Sequence, residues 1–276
     1  MGKTIVITGA SDGIGAAAAR RLHRDGHTVV LVGRSAEKTA AIADSIGAHW
    51  FTADFADLAQ VRALAAALAD AYPRIDVLAN NAGGIMGERA ETVDGFERTF
   101  QINHLAPFAL TTDLMPALIA GRATVIQTAS LAARVFSRFD IEDLQNARNY
   151  APQRAYGNAK LANILFTVEL QRRFGDAGIS AAAFHPGIVG TGFASDTTHV
   201  MRWLYHGPLQ RLFTVSPERG ADQLVWLAEG EPGRTFAPGA YYESRAIPNR
   251  VSPEVHDPWI ARELWERSAE MLRGGV

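Results

Sequence analysis

Short apolar runs rich in β-branched residues recur along the chain, at 4–8, 28–32, 49–52, 75–80, 123–128, 179–184 and 239–242. Runs of this length bounded by turn residues predict buried strands. Between them lie longer stretches with apolar positions three and four apart, at 14–24, 58–72, 95–119 and 156–174, each closed by Gly, Pro or polar residues. These predict helices. Ser216-Pro217 supplies a cap and a first-turn proline for a further helix over 218–229, and 257–272 reads as a last one. Strand and helix alternate throughout. Parallel neighbours need a crossover, and crossovers cover both sides of a sheet, so the order predicts an α/β protein with a doubly wound parallel sheet of about seven strands and helices on both faces. Two stretches break the alternation: 134–154 is polar and irregular, and 195–215 mixes Trp203, Tyr205, Leu209, Leu212 and Phe213 with turn residues. Irregular segments that long are either functional or disordered, and both are read here as substrate loops, with Trp203, Tyr205, Leu212 and Phe213 equally readable as ordinary core.

Composition narrows the class of protein. The 276 residues suffice for one large core, and with no repeat or Gly/Ser linker the expectation is a single domain over 1–276. The 27 Lys and Arg nearly balance the 29 Asp and Glu, with no basic block, so nucleic acid is not expected as a partner. The absence of cysteine excludes disulfides and thiolate metal sites. Cytoplasm is the expected location. Apolar runs fall short of the roughly 18 residues of a membrane helix, and Met1-Gly2-Lys3 leads straight into a strand, so no leader or membrane anchor is expected. The eight histidines are scattered without an HExxH-type pair, which gives a metal site no support, and His185 beside Pro186 reads as structural.

The first strand runs into Thr8-Gly9-Ala10-Ser11-Asp12-Gly13-Ile14-Gly15 and then an Ala-rich helix. Such a turn presents backbone N–H groups and a helix N-terminus to an anion such as a pyrophosphate. A glycine cluster alone is also an ordinary tight turn; placement after a strand and before a helix, at the start of the chain, favours the Rossmann-type dinucleotide site. At the end of the second strand, Val32-Gly33-Arg34-Ser35 has no acid for a free ribose 2′-hydroxyl, and Arg34 offers a planar cation suited to a 2′-phosphate. That combination points to NADP, against the alternative of a solvated surface arginine. Asp12 in the glycine turn is a contrary sign, because a carboxylate there repels phosphate.

Tyr156-Gly157-Asn158-Ala159-Lys160 places Tyr156 and Lys160 four apart on one helix face, at the start of the helix read over 156–174. A free tyrosine titrates near pH ~10, and a neighbouring ammonium favours the phenolate, which brings the phenol into range for acid/base work. By itself the spacing is common. In order along the chain, however, it accompanies the TGxxxGIG-like turn, Asp54 after the third strand, Asn80-Asn81-Ala82-Gly83, Asn103, Thr128-Ala129-Ser130 and Pro186-Gly187-Ile188-Val189-Gly190-Thr191. This set resembles the short-chain dehydrogenase/reductase family over almost all of the chain.

The resemblance implies hydride transfer between a nicotinamide and a carbonyl or alcohol carbon. Tyr156 would move the proton of the reacting oxygen, Ser130 hydrogen-bond that oxygen, Lys160 lower the Tyr pKa and hold the nicotinamide ribose, and Asn103 position a water that relays protons outward. The cofactor NADP(H) would be held by Gly9, Ser11, Asp12, Gly13, Ile14, Gly15, Arg34, Asp54, Phe55, Asn81, Ala82, Gly83, Tyr156, Lys160, Pro186, Gly187, Val189 and Thr191. The long separation between Ser130 and Tyr156, the stretch Lys160-Leu161-Ala162-Asn163-Ile164-Leu165-Phe166 and His185-Pro186-Gly187 resemble the branch of retinol dehydrogenases, WW-domain oxidoreductases and protochlorophyllide reductases. Members of that branch often carry an N-terminal membrane anchor, which is not visible here, so retinoid metabolism does not follow. Ala129 stands where a second Ser is common. The expected partner is a small apolar carbonyl or alcohol substrate; a homo-oligomer is left open. Two other classes stay in view: a cofactor-binding regulatory protein without turnover, and an epimerase or dehydratase relative. The complete Asn, Ser, Tyr and Lys set argues against the first, and the spacing from Gly9 to Gly13 against the second.

Overall fold

A computed structural model describes residues 2–187 and 216–274 of the chain. Its strands are β1 (Thr4–Thr8), β2 (Thr28–Gly33), β3 (His49–Thr52), β4 (Val77–Asn80), β5 (Thr124–Thr128), β6 (Ser180–His185) and β7 (Tyr241–Glu243). The helices are α1 (Gly13–Arg24), α2 (Ala36–Ile46), α3 (Leu58–Ala71), α4 (Arg98–Phe100), α5 (Ala106–Asp113), α6 (Met115–Gly121), α7 (Ala132–Val135), α8 (Pro152–Phe174), α9 (Pro217–Glu229) and α10 (Pro258–Arg273).

All the strands pair in parallel, in the order β3-β2-β1-β4-β5-β6-β7. Ile5, Val6 and Ile7 of β1 have no exposed surface. Continuous apolar runs of this kind fit a sheet covered on both faces, where neither side of a strand meets water. Ile5, Ile7, Leu31 and Phe184 pack with Ala18 and Leu22 of α1 and Leu224 of α9, and Val6, Leu78 and Val125 pack with Leu64 of α3, Phe108 of α5 and Leu161 of α8. The strand order reverses beside β1, between β2 and β4, and a crevice opens at such a switch point beyond the carboxyl ends of the strands.

The single α/β domain follows the sequence reading, and the differences are local. Helix α2 lay outside the segments read as helical because only Thr39 and Ala43 of it are buried, which leaves little apolar period to detect; its caps, Ser35 and the left-handed Gly47, carry the signal instead. The helix read over 95–119 begins at Arg98, widens into a π-helical turn over Gln101–Leu105, and breaks at Leu114 between α5 and α6. Helix α8 starts at Pro152 rather than Tyr156, since a proline in the first turn gives up an N–H that has no helical acceptor. The stretch 134–154, read as irregular, holds the end of α7, a 3₁₀ turn over Ile141–Asp143 and that first turn of α8. Asn158 fastens this stretch to α8, donating to Asn146 and accepting from the Arg138 N–H. The segment 195–215 lies outside the described residues.

Candidate active site

The turn after β1 is built around the Thr8 hydroxyl. It donates to the Ala79 carbonyl and accepts from the N–H groups of Asn81 and Ala82, which joins the ends of β1 and β4. Asn81 Nδ2 donates to the Thr8 carbonyl at 3.0 Å, and its Oδ1 accepts from the Thr128 hydroxyl, so one side chain spans β1, β4 and β5. Gly9 sits at φ 66°, and a Cβ there would meet Ala82 Cα at 2.8 Å, so the two loops approach too closely for any side chain. Ser11, Asp12, Gly13, Ile14 and Gly15 then lead into α1. Asp12 caps that helix, accepting from the Gly13 N–H at 2.7 Å, and so directs its carboxylate at the helix terminus itself.

Two hydrogen bonds place the adenosine end of the crevice. The Ala10 N–H donates to the Val32 carbonyl and the Ala53 N–H to the Gly33 carbonyl, which brings the ends of β2 and β3 against the glycine turn. Arg34 is exposed there, with no hydrogen-bond or ion-pair partner among the described residues. Asp54 accepts from the Ala56 N–H, forming a tight turn. Phe55 turns its ring into the core and gives its carbonyl to Gln101 Nε2, so its side chain is not part of the crevice wall.

Asn103 lies in the π-helical turn with no exposed surface. Its Nδ2 donates to the carbonyls of Gly84 and Thr99, both at 2.9 Å, and its Oδ1 accepts from the Gly84 N–H at 3.0 Å. π-helical turns concentrate at functional sites, yet widening of a hydrogen-bond register leaves no mark in side-chain spacing. Gly83, held by this arrangement, faces both Asn103 and Lys160: a Cβ on it would lie 2.4 Å from Asn103 Oδ1 and 3.1 Å from Lys160 Nζ.

Lys160 is 2% exposed, and its Nζ donates to the Thr128 carbonyl at 2.9 Å, at the end of β5. Burial draws its ammonium down to about 7. The same Nζ stands 5.5 Å from the centre of the Tyr156 ring, which packs on Ile85 and Ala132. Ser130 follows β5, and its Oγ accepts from the Ala132 N–H at 3.2 Å, with its O–H left to serve as a donor. Asn103, Ser130, Tyr156 and Lys160 thus gather where β4 and β5 end. Pro186 and Gly187 follow β6 beside them, whereas Val189 and Thr191 lie outside the described residues.

Sequence reasoning missed one neighbouring group. Ser130, Arg134, Ile164, Tyr241, Glu243 and Arg250 line a small cleft, in which the Tyr241 hydroxyl donates to Glu243 at 3.1 Å. Burial, reinforced by Glu243, pushes the Tyr241 phenol far above its ordinary value. Tyr241 and Glu243 reach this site through the pairing of β6 with β7, more than a hundred residues from Ser130 in sequence.

The donor set fits a nicotinamide dinucleotide: a glycine turn that leads into a helix suits a pyrophosphate, with the Asp12 carboxylate at the helix terminus as an opposing charge, and a buried lysine reaches the loop at Gly83. Fold and turn together define a dinucleotide-binding α/β domain. The short chain dehydrogenase family profile matches residues 3–201. A protein of Streptomyces sp. (strain C5), provisionally named daunorubicin C-13 ketoreductase DnrU, is 42% identical over 275 residues, covering 97% of this chain and 92% of its own length. Human retinol dehydrogenase 13 is 35% identical over 290 residues, covering 98% and 85%. A crystal structure of an uncharacterized protein from Mycobacterium paratuberculosis superposes with a TM-score of 0.77 at 35% identity, covering 98% of this chain and 93% of that one. The chain belongs to the short-chain dehydrogenase/reductase family, in its retinol-dehydrogenase-like branch. It is therefore an oxidoreductase of carbonyl or alcohol groups that uses a nicotinamide dinucleotide. Among the described residues no helix is long and apolar enough to cross a membrane.

Proposed function

We propose that this protein is an NADP(H)-dependent reductase of small apolar ketones or aldehydes, reversible toward the alcohol, with Tyr156 as its proton donor. The observation that carries this reading is the burial of Lys160 beside Tyr156, with Nζ tied to the strand end that immediately precedes Ser130. When bound, the nicotinamide supplies or takes up the hydride. The Tyr156 hydroxyl gives its proton to the substrate oxygen as that oxygen gains alkoxide character, and the Ser130 hydroxyl donates to the same oxygen. Burial draws the Lys160 ammonium down to about 7, and while it is charged it favours the phenolate of Tyr156 beside it. Asn103 has given both amide hydrogens to carbonyls. Positioning of a relay water therefore falls to its Oδ1 and to the backbone of the π-helical turn.

Arg34 supports the choice of NADP(H), because it is exposed and has no partner among the described residues at the strand end where the adenosine ribose is bound in this fold. Asp12 is committed to capping α1, which moderates the preference without reversing it. A carbonyl substrate is favoured because the ketoreductase-named relative is more similar than the retinol dehydrogenase. Val135 and Phe136, exposed at the end of α7 beyond Ser130, support an apolar one. Initial rates with NADPH and NADH across a panel of ketones and aldehydes of graded polarity test the proposal. NADPH-dependent reduction that favours apolar members is the expected result. Cofactor binding without turnover of any carbonyl or alcohol would instead identify a regulatory protein.

A further inference from the structure

The turn that presents Ser130 is clamped by a side chain from another strand. The Ala129 N–H continues the parallel ladder, donating to the Phe184 carbonyl at 2.8 Å, and the chain then leaves the sheet. Two residues on, the Leu131 N–H meets Nδ1 of His185 at 3.3 Å, so the imidazole stands where the next ladder acceptor would be. An accepting Nδ1 requires the neutral ring with its proton on Nε2. His185 is itself anchored: its carbonyl accepts from Gln223 Nε2 on α9, and Gln223 Oε1 accepts from the Arg245 N–H. Glu243 is its register partner on β7, bonded in turn by the Tyr241 hydroxyl.

We propose that His185 is a positioning residue for the reaction: its neutral ring, as acceptor for the Leu131 N–H, fixes the turn that aims the Ser130 hydroxyl at the substrate oxygen. This rests on the reading of Ser130 given above. The charged groups acting on the ring are Glu243 from β7 and Arg134 from α7, with Tyr241 behind Glu243 and Tyr156 of α8 beyond it; the contact from α9 is the uncharged amide of Gln223. Burial holds the ring below the ordinary imidazole range, Arg134 acts in the same direction and Glu243 opposes both, so the clamp is closed at neutral pH. Protonation in acid removes the acceptor and sets an imidazolium against the N–H.

The test compares His185→Leu, His185→Asn and Ser130→Ala, with kcat, KM and NADPH binding measured across pH. His185→Leu keeps apolar bulk without an acceptor and should lower kcat by about 10- to 100-fold with NADPH binding nearly unchanged, as misplacement near reacting atoms implies. His185→Asn retains an acceptor without an ionisable ring; it should recover most of that loss and abolish the acid limb of kcat that His185 imposes. Ser130→Ala reports on the underlying reading: if it leaves kcat unchanged, the role of Ser130 fails and the clamp with it. If Ser130→Ala is impaired while His185→Leu turns over normally, the clamp alone is wrong. Should His185→Leu not fold, the pH profile of His185→Asn decides, and an unaltered acid limb overturns the proposal.

Discussion

Arg34 and Lys160 carry the same formal charge in opposite surroundings, and their surroundings decide what each can do. Arg34 is solvated and has no partner among the described residues, so a 2′-phosphate meeting it costs little desolvation and gains a charge-assisted contact of roughly 1.5–3 kcal/mol. Arg34→Ala should therefore weaken NADPH binding about 10- to 100-fold and leave NADH binding almost unchanged, measured by fluorescence titration. Equal loss for both cofactors would show that Arg34 does not read the phosphate. Lys160 is the reverse case, a cation kept out of water so that its proton becomes exchangeable near neutrality. Both residues were legible in the sequence, Arg34 from the missing acid at the end of β2 and Lys160 from its spacing to Tyr156. Burial was not, because it depends on Thr128 and Gly83, which only the folded sheet brings to the lysine.

At the level of elements, the loop after β4 and the π-helical turn between α4 and α5 act as one piece. Asn103 links them through two hydrogen bonds to Gly84, with a third back to the Thr99 carbonyl of α4. Gly83 must stay bare, since a Cβ would press on both Asn103 and Lys160. Gly83→Ala should destabilise the fold by about 1–3 kcal/mol, as local backbone strain does, and reduce kcat more than tenfold by displacing Lys160. Denaturant unfolding and steady-state kinetics check the two effects, and a variant with unchanged kcat would detach Gly83 from the lysine. The inner strands were legible because burial on both faces writes them as unbroken apolar runs, and α1 and α3 because they bury one stripe, whereas α8 is buried all round over 155–167. The π-helical turn was hidden within an apolar stretch that reads as ordinary helix. The cleft in which Tyr241 and Glu243 meet Ser130 was hidden for a different reason: β6–β7 register, not sequence proximity, assembles it.

Across the whole molecule, α10 is fastened to the face opposite α1 by rings. Trp265 packs on Phe108 of α5 at 4.9 Å and on Phe166 of α8 at 5.5 Å between centroids. His104 of the π-helical turn lies among Phe100, Phe108 and Phe166, and its Nε2 pairs with the Ser268 hydroxyl of α10 at 3.0 Å. Burial pulls this histidine down to about 4. Between that value and the ordinary 6.5 the unfolded chain binds a proton that the folded chain refuses, so His104 costs stability as pH falls through this window, at about 1.4 kcal/mol per pH unit. Urea unfolding from pH 7 to pH 4 should show this slope, and His104→Gln should reduce it by about that amount. An unchanged slope in the variant would place the acid sensitivity elsewhere.

The same two-faced sheet sets the crevice, the cofactor turn and the proton donor at one edge of the molecule, and the account as a whole depends on Tyr156 moving the proton. Tyr156→Phe removes a single oxygen from a ring that packs on Ile85 and Ala132, so the shape of the site is kept. Stopped-flow and steady-state measurement of NADPH-dependent carbonyl reduction by this variant should give a kcat lower by at least ~10²-fold, with the Kd for NADPH within about twofold of the unaltered protein. Turnover near that of the unaltered protein would contradict the account.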